Sequence, residues 1–558
     1  MPESWPYETP HEPKDNSRYR RKLSRRLATA ALVLPSAAWP AWAVGCDPDD
    51  KECQVDEYLT SVKGDPDQLR AFLLDLPKGG DLHNHLRGAV PTEKLIDYAI
   101  RDNICINDLT LQSRRPQPCK SPERPATDMN GDVNFRNRVL GAWSMEGFTN
   151  PDLQAGHDHF FATFGKFGAA ADRHDGDSLA EVARITDRQN QVYLETLLGA
   201  RSTDTKKLVN KVWGTQKPVT PNDFGTLLDK LTENGAMAAI ANHAANDLAQ
   251  VYTDARNELQ CADRQNADPA CGVDIRFDHQ VGRNQPQAVV FAQLLLGFLL
   301  QGTQGWDRSV GVNLVQPEDG KISLRDYHLQ MQMIRFLKGK FPGKHVTLHA
   351  GELVSGLEGV SYHDLTFHIN DAVNTAGAER IGHGVDLRHE DEWRALTHVM
   401  RDQHTALEAP LTSNCQILKA CAPGEEPDTH PLTAYRDANV PVALATDDAG
   451  VSRSDMTEDY QRGVTHFALD YYALKKLTRD SLEYGFMPGG SLWRNRDGFE
   501  FVQPCEGADP SQEHPGGTCG EYLDANVKAS LQWTQEHRLH VFEEKYSNAA
   551  HRLADPAA

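Results

Sequence analysis

The chain has 558 residues and a formal net charge of −21, with 39% hydrophobic and 25% charged residues. This composition is that of a globular protein, and the length exceeds one average domain but suits a single elaborated α/β barrel. The negative charge argues against nucleic acid as a partner, because phosphate contacts need a basic face.

The first 43 residues have the pattern of an export signal. A basic stretch at 18–26 precedes an apolar stretch at 27–39 and the small-residue sequence Ala41-Trp42-Ala43. Such a segment is cleaved on export, so we expect a periplasmic or secreted protein with no stable membrane insertion afterwards. An uncleaved anchor is the alternative, but the apolar stretch is short and contains prolines. The sequence leaves open the export route and whether Cys46 is lipidated.

Ten cysteines follow this segment in near-neighbour couples, which predicts five local disulfides in an oxidising compartment. The couples are Cys46/Cys53, Cys105/Cys119, Cys261/Cys271, Cys415/Cys421 and Cys505/Cys519. None has the Cys-x-x-Cys spacing of zinc sites, and the zinc signature of the cytidine deaminase class is absent. That deaminase fold is therefore excluded.

Eight strand candidates alternate with helical patterns, which predicts a parallel sheet closed as a TIM (β/α)₈ barrel. The candidates are 80–86, 192–198, 273–278, 309–315, 345–350, 378–382, 405–409 and 440–446. We expect an N-terminal extension at 44–78, the barrel at 79–486, and a loop with a C-terminal helix packed on the barrel at 487–558. A final amphipathic helix is predicted over 521–548.

Two long excursions interrupt the barrel pattern as large helical insertions, at 100–190 and 200–272. The first carries an aromatic run at 159–167 with helical spacing. That spacing favours a place in the core, and an apolar lid over the barrel mouth is the alternative. Residues 286–301 are apolar nearly all round and predict a buried barrel helix.

Four strand ends carry metal-competent or titratable residues. They are His83-Asn84-His85, His349-Ala350-Gly351-Glu352, Gly382-His383-Gly384 and Thr446-Asp447-Asp448. Alternation on a strand puts His83 and His85 on one face, so both can bind one ion. With His349 and Asp447 they supply the ligands of a mononuclear site, for which zinc is favoured over iron or manganese. The alternative for Asp447 is a turn carboxylate.

These four motifs, in this order, resemble the adenosine deaminase family of metal-dependent amidohydrolases, including its secreted growth-factor-like branch. The resemblance covers 79–486 and implies one Zn²⁺ per chain that activates water to attack C6 of a purine nucleoside. It implies that Glu352 protonates ring N1, that His383 orients the water and takes its proton, and that Asp448 hydrogen-bonds substrate or water. Ser413 and Asn414 match a family motif and are interpreted as supporting residues or as a plain turn.

The substrate-recognition residues depart from the family pattern. Arg87 stands where the family has Asp after His-x-His-Leu, and Gln316 stands where it has Gly. Both are predicted to contact substrate, as is Asp448. Because a guanidinium only donates hydrogen bonds, Arg87 predicts either an anionic nucleoside or an arginine held away by an acidic neighbour such as Glu318. A rim ion pair without a substrate role is the third interpretation.

The leading hypothesis is hydrolytic deamination of adenosine or a related 6-aminopurine. Two alternatives stay open: an amidohydrolase acting on another amidine or cyclic amide, and a non-catalytic secreted binding or signalling factor. Intact Glu352, His383 and four metal ligands argue against the last. The oligomeric state is open, and a homo-oligomer is compatible with the sequence.

Overall fold

The computed structural model describes residues 46, 47, 49–115, 117–263 and 265–554. The predicted export signal, residues 1–43, lies outside these described residues. The chain divides into two units, Met1–Cys46 and Asp47–Ala558, and the second contains every helix and strand given below.

Eight strands, which we number β1 to β8, form the centre of the second unit. Their bounds are Gly80–His85, Tyr193–Leu198, Asp274–Gly282, Ser309–Val315, Thr347–Ala350, Arg380–His383, Ala406–Ala409 and Val442–Leu444. Strands β1 to β4 pair in chain order as one parallel sheet, and β5 to β8 pair in chain order as another. Nearly all strand residues are buried, as expected where helices cover a parallel sheet.

Hydrogen bonds at two seams join these sheets. Between β8 and β1, the backbone N–H of Asp447 donates to the carbonyl of His83 (2.8 Å), and the N–H of His85 donates to the carbonyl of Asp447 (3.1 Å). Between β4 and β5, the backbone N–H of His349 donates to Oδ1 of Asn313 (3.0 Å). The predicted (β/α)₈ barrel is confirmed.

Two strands end at residues other than those predicted, one later and one earlier. Strand β3 runs to Gly282, four residues beyond the predicted end at 278, because the polar side chains of its last part are covered at the barrel mouth. Strand β1 ends at His85, one residue early, because Leu86–Ala89 turns into a short helix. Gly88 permits this turn, since a Cβ there would lie 1.6 Å from Oδ1 of Asp448.

Helices surround the barrel. The α-helices are Lys51–Val62, Pro66–Asp75, Leu86–Ala89, Thr92–Arg101, Val133–Trp143, Leu153–Ala171, Asp175–Arg188, Ser202–Val212, Phe224–Thr232, Ala236–Glu258, Gln287–Leu300, Lys321–Lys340, His368–Asn370, Trp393–Gln403, Leu411–Leu418, Leu432–Asp437, Ala449–Ser452, Met456–Phe467, Tyr471–Glu483, Gly517–Ala525 and Val527–Ala554. Among the described residues, no helix has both the length and the apolar character needed to cross a membrane. Gln287–Leu300 is almost wholly buried, because its Gly297 packs directly against Val312 of β4.

The excursions hold structure that the sequence pattern missed. The proline- and cysteine-containing part of the first forms a three-stranded antiparallel sheet, ordered Ser113–Arg114, Cys105–Asn107 and Glu123–Pro125. The single helix predicted over 521–548 is two helices, because the backbone is extended at Asn526.

Four of the predicted disulfides are present. They are Cys105–Cys119, Cys261–Cys271, Cys415–Cys421 and Cys505–Cys519. Each joins cysteines separated by no more than 14 residues, so each closes a short loop. The pairing of Cys46 with Cys53 stays a prediction.

Replacing both Cys505 and Cys519 by Ser should lower the free energy of unfolding by about 3 kcal/mol, because a cross-link over a short loop restricts the unfolded chain by about that amount. Denaturant titration of both proteins measures the difference, and non-reducing peptide mapping checks all pairs. Peptides linked between different couples would contradict the local pattern.

Candidate active site

Four side chains converge at the carboxyl-terminal end of the barrel. His83 and His85 lie at the end of β1, His349 lies near the end of β5, and Asp447 follows β8. The Nε2 atom of His349 is 3.1 Å from Nε2 of His83 and 3.1 Å from Nε2 of His85. Oδ1 of Asp447 is 3.4 Å from Nε2 of His85 and 3.7 Å from Nε2 of His83. Three imidazoles and one carboxylate therefore face one point.

The spacing of these atoms fits a metal ion. Four donors held about 2.0–2.1 Å from a tetrahedral ion lie roughly 3.3 Å from one another, close to the distances found here. Burial lowers the pKa of His85 to about 3 and that of His349 well below its ordinary value, so both imidazoles are neutral ligands. Without an ion, three buried imidazole nitrogens so close together would repel one another.

Each ligand has a partner on its far side that orients it. Nδ1 of His83 is 2.7 Å from Oε2 of Glu408, Nδ1 of His349 is 2.9 Å from Oδ1 of Asn313, and Nδ1 of His85 is 2.8 Å from the side-chain amide of Gln280. With the proton on Nδ1, the imidazoles of His83 and His349 turn the lone pair of Nε2 towards the common point. Ser413 donates a hydrogen bond to the distal oxygen of Asp447.

The three residues predicted to act in catalysis surround this centre. Glu352 is buried, and its backbone N–H donates to Oε2 of Glu318 (2.8 Å), which fixes the turn after β5. Burial, reinforced by the charges of Asp447 and Glu318, raises the pKa of Glu352 well above its ordinary value. A ring nitrogen of His383 lies within 4.8 Å of ligand atoms of His83, His349 and Asp447.

Asp448 is buried beside the centre as well. Burial and the adjacent charge of Asp447 raise the pKa of the Asp448 carboxyl well above its ordinary value. Among the described residues, its Oδ1 has no hydrogen-bond partner. A buried carboxyl with a raised pKa and an oxygen without a partner is available to hydrogen-bond a ligand in the cavity.

A cavity of about 360 Å³ opens over the metal ligands. It is lined by His85, Phe160, Phe161, Phe164, Gln280, Val315, Gln316, Pro317, His349, Glu352, Asp447 and Asp448. The helix Leu153–Ala171, which we call the lid helix, contributes the three aromatic rings. Both interpretations of the aromatic run hold in part: Phe160 and Phe167 are buried in the core with Phe161 and Phe164 packed against it, and Phe160, Phe161 and Phe164 also line the cavity.

The two residues that depart from the family pattern have different positions. Gln316 lines the cavity, and its Oε1 accepts a hydrogen bond from the backbone N–H of Asn284 (3.0 Å). Arg87 lies beyond β1, which ends at His85, and belongs to the short helix Leu86–Ala89. Its Nε donates to Oδ1 of Asp175 (2.9 Å), and its Nη1 lies 3.2 Å from Oδ1 of Asp172.

Arg87 is held by acidic neighbours, as one of its interpretations expects, but these are Asp172 and Asp175 and not Glu318. Glu318 accepts a hydrogen bond from His368 (2.6 Å) and lies 3.6 Å from Nη1 of Arg283. Asp172 directly follows the lid helix, and Asp175 is the first residue of the next helix. Arg87 thus joins the short helix after β1 to the junction between these two helices.

Sequence reasoning missed four residues that support the site: Gln280, Asn313, Glu318 and Glu408. Gln280, Asn313 and Glu408 lie on β3, β4 and β7, so each is a polar residue inside a segment that is otherwise buried. A polar residue in a buried strand needs a hydrogen-bond partner, and this requirement could have marked these residues in the sequence as supports of the site.

Comparisons with known proteins agree with this site. Residues 311–492 match the family model described as adenosine deaminase. The adenosine deaminase of Clostridium perfringens (strain ATCC 13124) is 31% identical over 144 residues, which is 26% of this chain and 38% of that protein. That of Shewanella denitrificans is 31% identical over 152 residues, 27% of this chain and 41% of that protein. The chain thus matches about two fifths of the length of these relatives.

Solved structures align over more of the chain at lower identity. Arabidopsis ADAL complexed with GMP covers 75% of this chain and 94% of that chain, with 17% identity and a TM-score of 0.47. An amidohydrolase with bound Zn from Burkhoderia ambifaria covers 86% of this chain and 94% of that chain, with 14% identity and a TM-score of 0.44.

The eight-stranded barrel with histidine and aspartate side chains at the carboxyl ends of its strands is a (β/α)₈ barrel with a candidate metal site at the expected end. The match to the adenosine deaminase family model is confined to residues 311–492. This segment contains His349, Glu352, His383 and Asp447 but not His83 or His85, which the fold brings to the same centre.

His349→Ala should abolish metal binding, because the nitrogen removed is the one that lies closest to both histidines of β1. Elemental analysis of the wild-type protein should show about one zinc-like ion per chain, and the variant should show none. His345→Ala, on the same segment but outside the cavity, is the matched control and should retain the ion. Full metal content in His349→Ala would contradict the ligand assignment.

Proposed function

We propose that this protein hydrolyses the 6-amino group of adenosine or a related 6-aminopurine nucleoside, giving the 6-oxo purine and ammonia. The observation that carries the proposal is the convergence of four metal ligands beside the buried acid Glu352, on the floor of an enclosed cavity. The match of residues 311–492 to the adenosine deaminase family model supports the reaction class.

We propose one zinc ion per chain at the centre, held by His83, His85, His349 and Asp447. Three imidazole nitrogens and one carboxylate suit zinc, and the same donors also accept iron or manganese. When bound, the ion lowers the pKa of a coordinated water towards about 7 and supplies the nucleophile near neutral pH. The neutral state of His85 and His349 supports this arrangement.

Glu352 is the proposed proton donor to ring N1 of the purine. A carboxyl with an ordinary pKa is ionised at neutral pH and cannot donate, whereas burial keeps this one protonated. Protonation of N1 makes C6 more electrophilic, so the acid and the attacking water act on the same ring. Asp448, whose Oδ1 points to no partner among the described residues, is available to hydrogen-bond the purine.

The charge of the cavity favours a neutral substrate. Of the described residues that line it, three are carboxylic acids and none is Lys or Arg. Arg87, the cation that sequence reasoning assigned to substrate, is engaged by Asp172 and Asp175. A phosphate would enter a site in which no described lining residue is a lysine or arginine that could pair with it, so we propose a nucleoside rather than a nucleotide.

We also propose that the mature protein works in the periplasm or outside the cell. The four disulfides support an oxidising compartment. Cell fractionation that finds the folded protein in the cytoplasm would contradict this part of the proposal.

The direct test is the loss of adenosine absorbance in the ultraviolet on adding zinc-loaded protein, with inosine identified by chromatography. Glu352→Gln should keep the metal and lower turnover by at least about 10²-fold, the scale of general acid catalysis, because the amide keeps the shape but loses the acidic proton. Glu358→Gln, the same change at an exposed position of the same loop, is the control and should behave like the wild type. Near-normal turnover of Glu352→Gln would show that the proton comes from elsewhere.

Adenosine and deoxyadenosine should have kcat/KM values at least about 10²-fold above that of adenosine 5′-phosphate, since an uncompensated phosphate costs a few kcal/mol. Arg87→Ala should change kcat/KM for all three substrates by a similar factor, because we place its guanidinium at the end of the lid helix. Steady-state kinetics on both proteins make the comparison. A selective loss of activity on the phosphate in Arg87→Ala would instead assign Arg87 to the substrate.

A further inference from the structure

The helix Leu411–Leu418, which follows β7 and which we call the bridging helix, contacts both the candidate metal centre and the lid helix. The hydroxyl of Ser413 donates a hydrogen bond to the distal oxygen of Asp447, a candidate metal ligand. The start of the bridging helix is held separately, because Asp459 accepts hydrogen bonds from the backbone N–H (2.9 Å) and the hydroxyl (3.2 Å) of Thr412. The contact with the metal centre therefore lies at the firmly held start of this helix.

The end of the bridging helix holds the beginning of the lid helix. The backbone carbonyl of Gln416 accepts a hydrogen bond from Nδ2 of Asn150 (3.0 Å), which lies three residues before the lid helix begins. The first turn of the lid helix packs on the same carbonyl, since a Cβ at Gly156 would lie 2.7 Å from its oxygen. Nζ of Lys419 donates to the carbonyl of Asn150. These contacts fix the lid helix ahead of its aromatic rings.

A disulfide lies directly beside these lid contacts. Cys415 is the neighbour of Gln416, and Cys421 lies two residues beyond Lys419, where the backbone becomes left-handed (φ +60°) and the bridging helix ends. Residues 422–427 form no helix or strand and are mostly exposed, so non-covalent contacts hold them weakly. The disulfide therefore keeps the chain that leaves the bridging helix folded back against it.

We propose that the Cys415–Cys421 disulfide is a positioning element that holds the lid helix over the cavity, and that its reduction by a dithiol loosens the lid. Reduction takes place by two successive thiol–disulfide exchanges. The dithiol loses two electrons and two protons and closes into a cyclic disulfide. The S–S bond breaks, and Cys415 and Cys421 each gain one electron and one proton.

The bond acts on the lid rather than on the metal ligands. Ser413 lies before Cys415, in the part of the bridging helix that Asp459 holds, so it keeps its contact with the metal centre when the bond breaks. Gln416 and Lys419 lie after Cys415 and lose the support of the bond. We therefore expect weaker substrate binding together with an intact metal centre.

A second disulfide provides a matched control. Both Cys415 and Cys421 are partly exposed, and so are both Cys261 and Cys271. The latter pair precedes β3 and so lies at the opposite end of the barrel from the metal ligands. A small dithiol can reach both bonds, but the second does not contact the lid helix or the bridging helix.

The position of the lid does not rest on the proposed function, and hydrogen–deuterium exchange of the full zinc-loaded protein tests it without an activity measurement. The backbone amides of the lid helix should exchange faster in Cys415→Ser/Cys421→Ser than in the wild type, because a loosened helix opens more often. Cys261→Ser/Cys271→Ser should leave their exchange unchanged. Equal exchange of the lid helix in the wild type and in Cys415→Ser/Cys421→Ser would overturn the proposal, whether or not the protein deaminates adenosine.

The effect on substrate rests on the proposed function and is measured by steady-state kinetics. Cys415→Ser/Cys421→Ser should raise KM for adenosine by at least about 5-fold and change kcat by less than about 3-fold, as expected when one or two hydrogen bonds that hold the lid are lost. Cys261→Ser/Cys271→Ser should keep the wild-type KM. A wild-type KM in Cys415→Ser/Cys421→Ser, or loss of its zinc, would overturn the proposal.

Reduction of the folded wild type gives the same test without a variant. After treatment with dithiothreitol, alkylation and peptide mapping show which bonds are open, and elemental analysis checks the zinc content. We expect KM to rise as the Cys415–Cys421 bond opens and to return on reoxidation. A constant KM while both of these cysteines are alkylated would overturn the proposal.

Asn150→Gly identifies the contact through which the bond acts. Asn150 has a left-handed backbone (φ +46°) that Gly adopts freely, so the substitution removes the side chain without backbone strain. Alone it should raise KM, and combined with Cys415→Ser/Cys421→Ser it should add little, because both changes act on the same contact. Two effects on KM that multiply would show that the disulfide and Asn150 act independently and would overturn the proposal.

Discussion

Asp447 has two structural roles: its backbone closes the barrel, and its carboxylate is one of the side chains of the candidate metal centre. Its backbone N–H and carbonyl bond to the strand residues His83 and His85, and its carboxylate faces the imidazoles of those two residues. Its φ of +57° lies in a region that L residues avoid, and the paired hydrogen bonds on both sides keep it there. Ligand geometry and barrel closure therefore depend on one backbone bridge, so a change that opens this seam also separates the ligands.

Below the metal centre, one arginine balances a group of buried acids. Arg380 is fully buried and pairs with Glu195 and Glu408, and it lies 3.4 Å from Asp278. Burial opposes ionisation of Glu408, but Arg380 and His83 outweigh it and lower its pKa to about 2. Glu408 is thus a fixed anion that accepts the Nδ1 proton of His83 and holds that imidazole as a ligand. The negative charge of Glu408, which Arg380 balances inside the barrel, therefore also orients His83 at the candidate metal centre.

The sequence was sufficient for the barrel and for the residues that face the metal, because both depend on local patterns. A strand end followed by Gly or a second acid can be recognised in the sequence without knowing which residues it contacts in the fold. Gln280, Asn313 and Glu408 could not be recognised in this way, since each is defined by a histidine far away in the chain. Arg87 was misplaced for a related reason. Alternation holds only while a strand lasts, and Gly88 lets the chain turn into a helix one residue before the predicted end of the strand.

The two halves of the cavity come from different parts of the chain. The acid, one imidazole and the carboxylates lie in the segment that matches known relatives, whereas the lid helix and its aromatic rings lie in the excursion between β1 and β2. Similarity in the first half therefore bears on the chemistry at the reacting carbon. The aromatic rings belong to the second half, where the ion pairs Arg87–Asp172 and His157–Asp319 tie the lid helix to the segments after β1 and β4. Because these ties attach the lid to the strands that carry His85 and Asn313, the position of the aromatic rings is coupled to the metal centre rather than set independently of it.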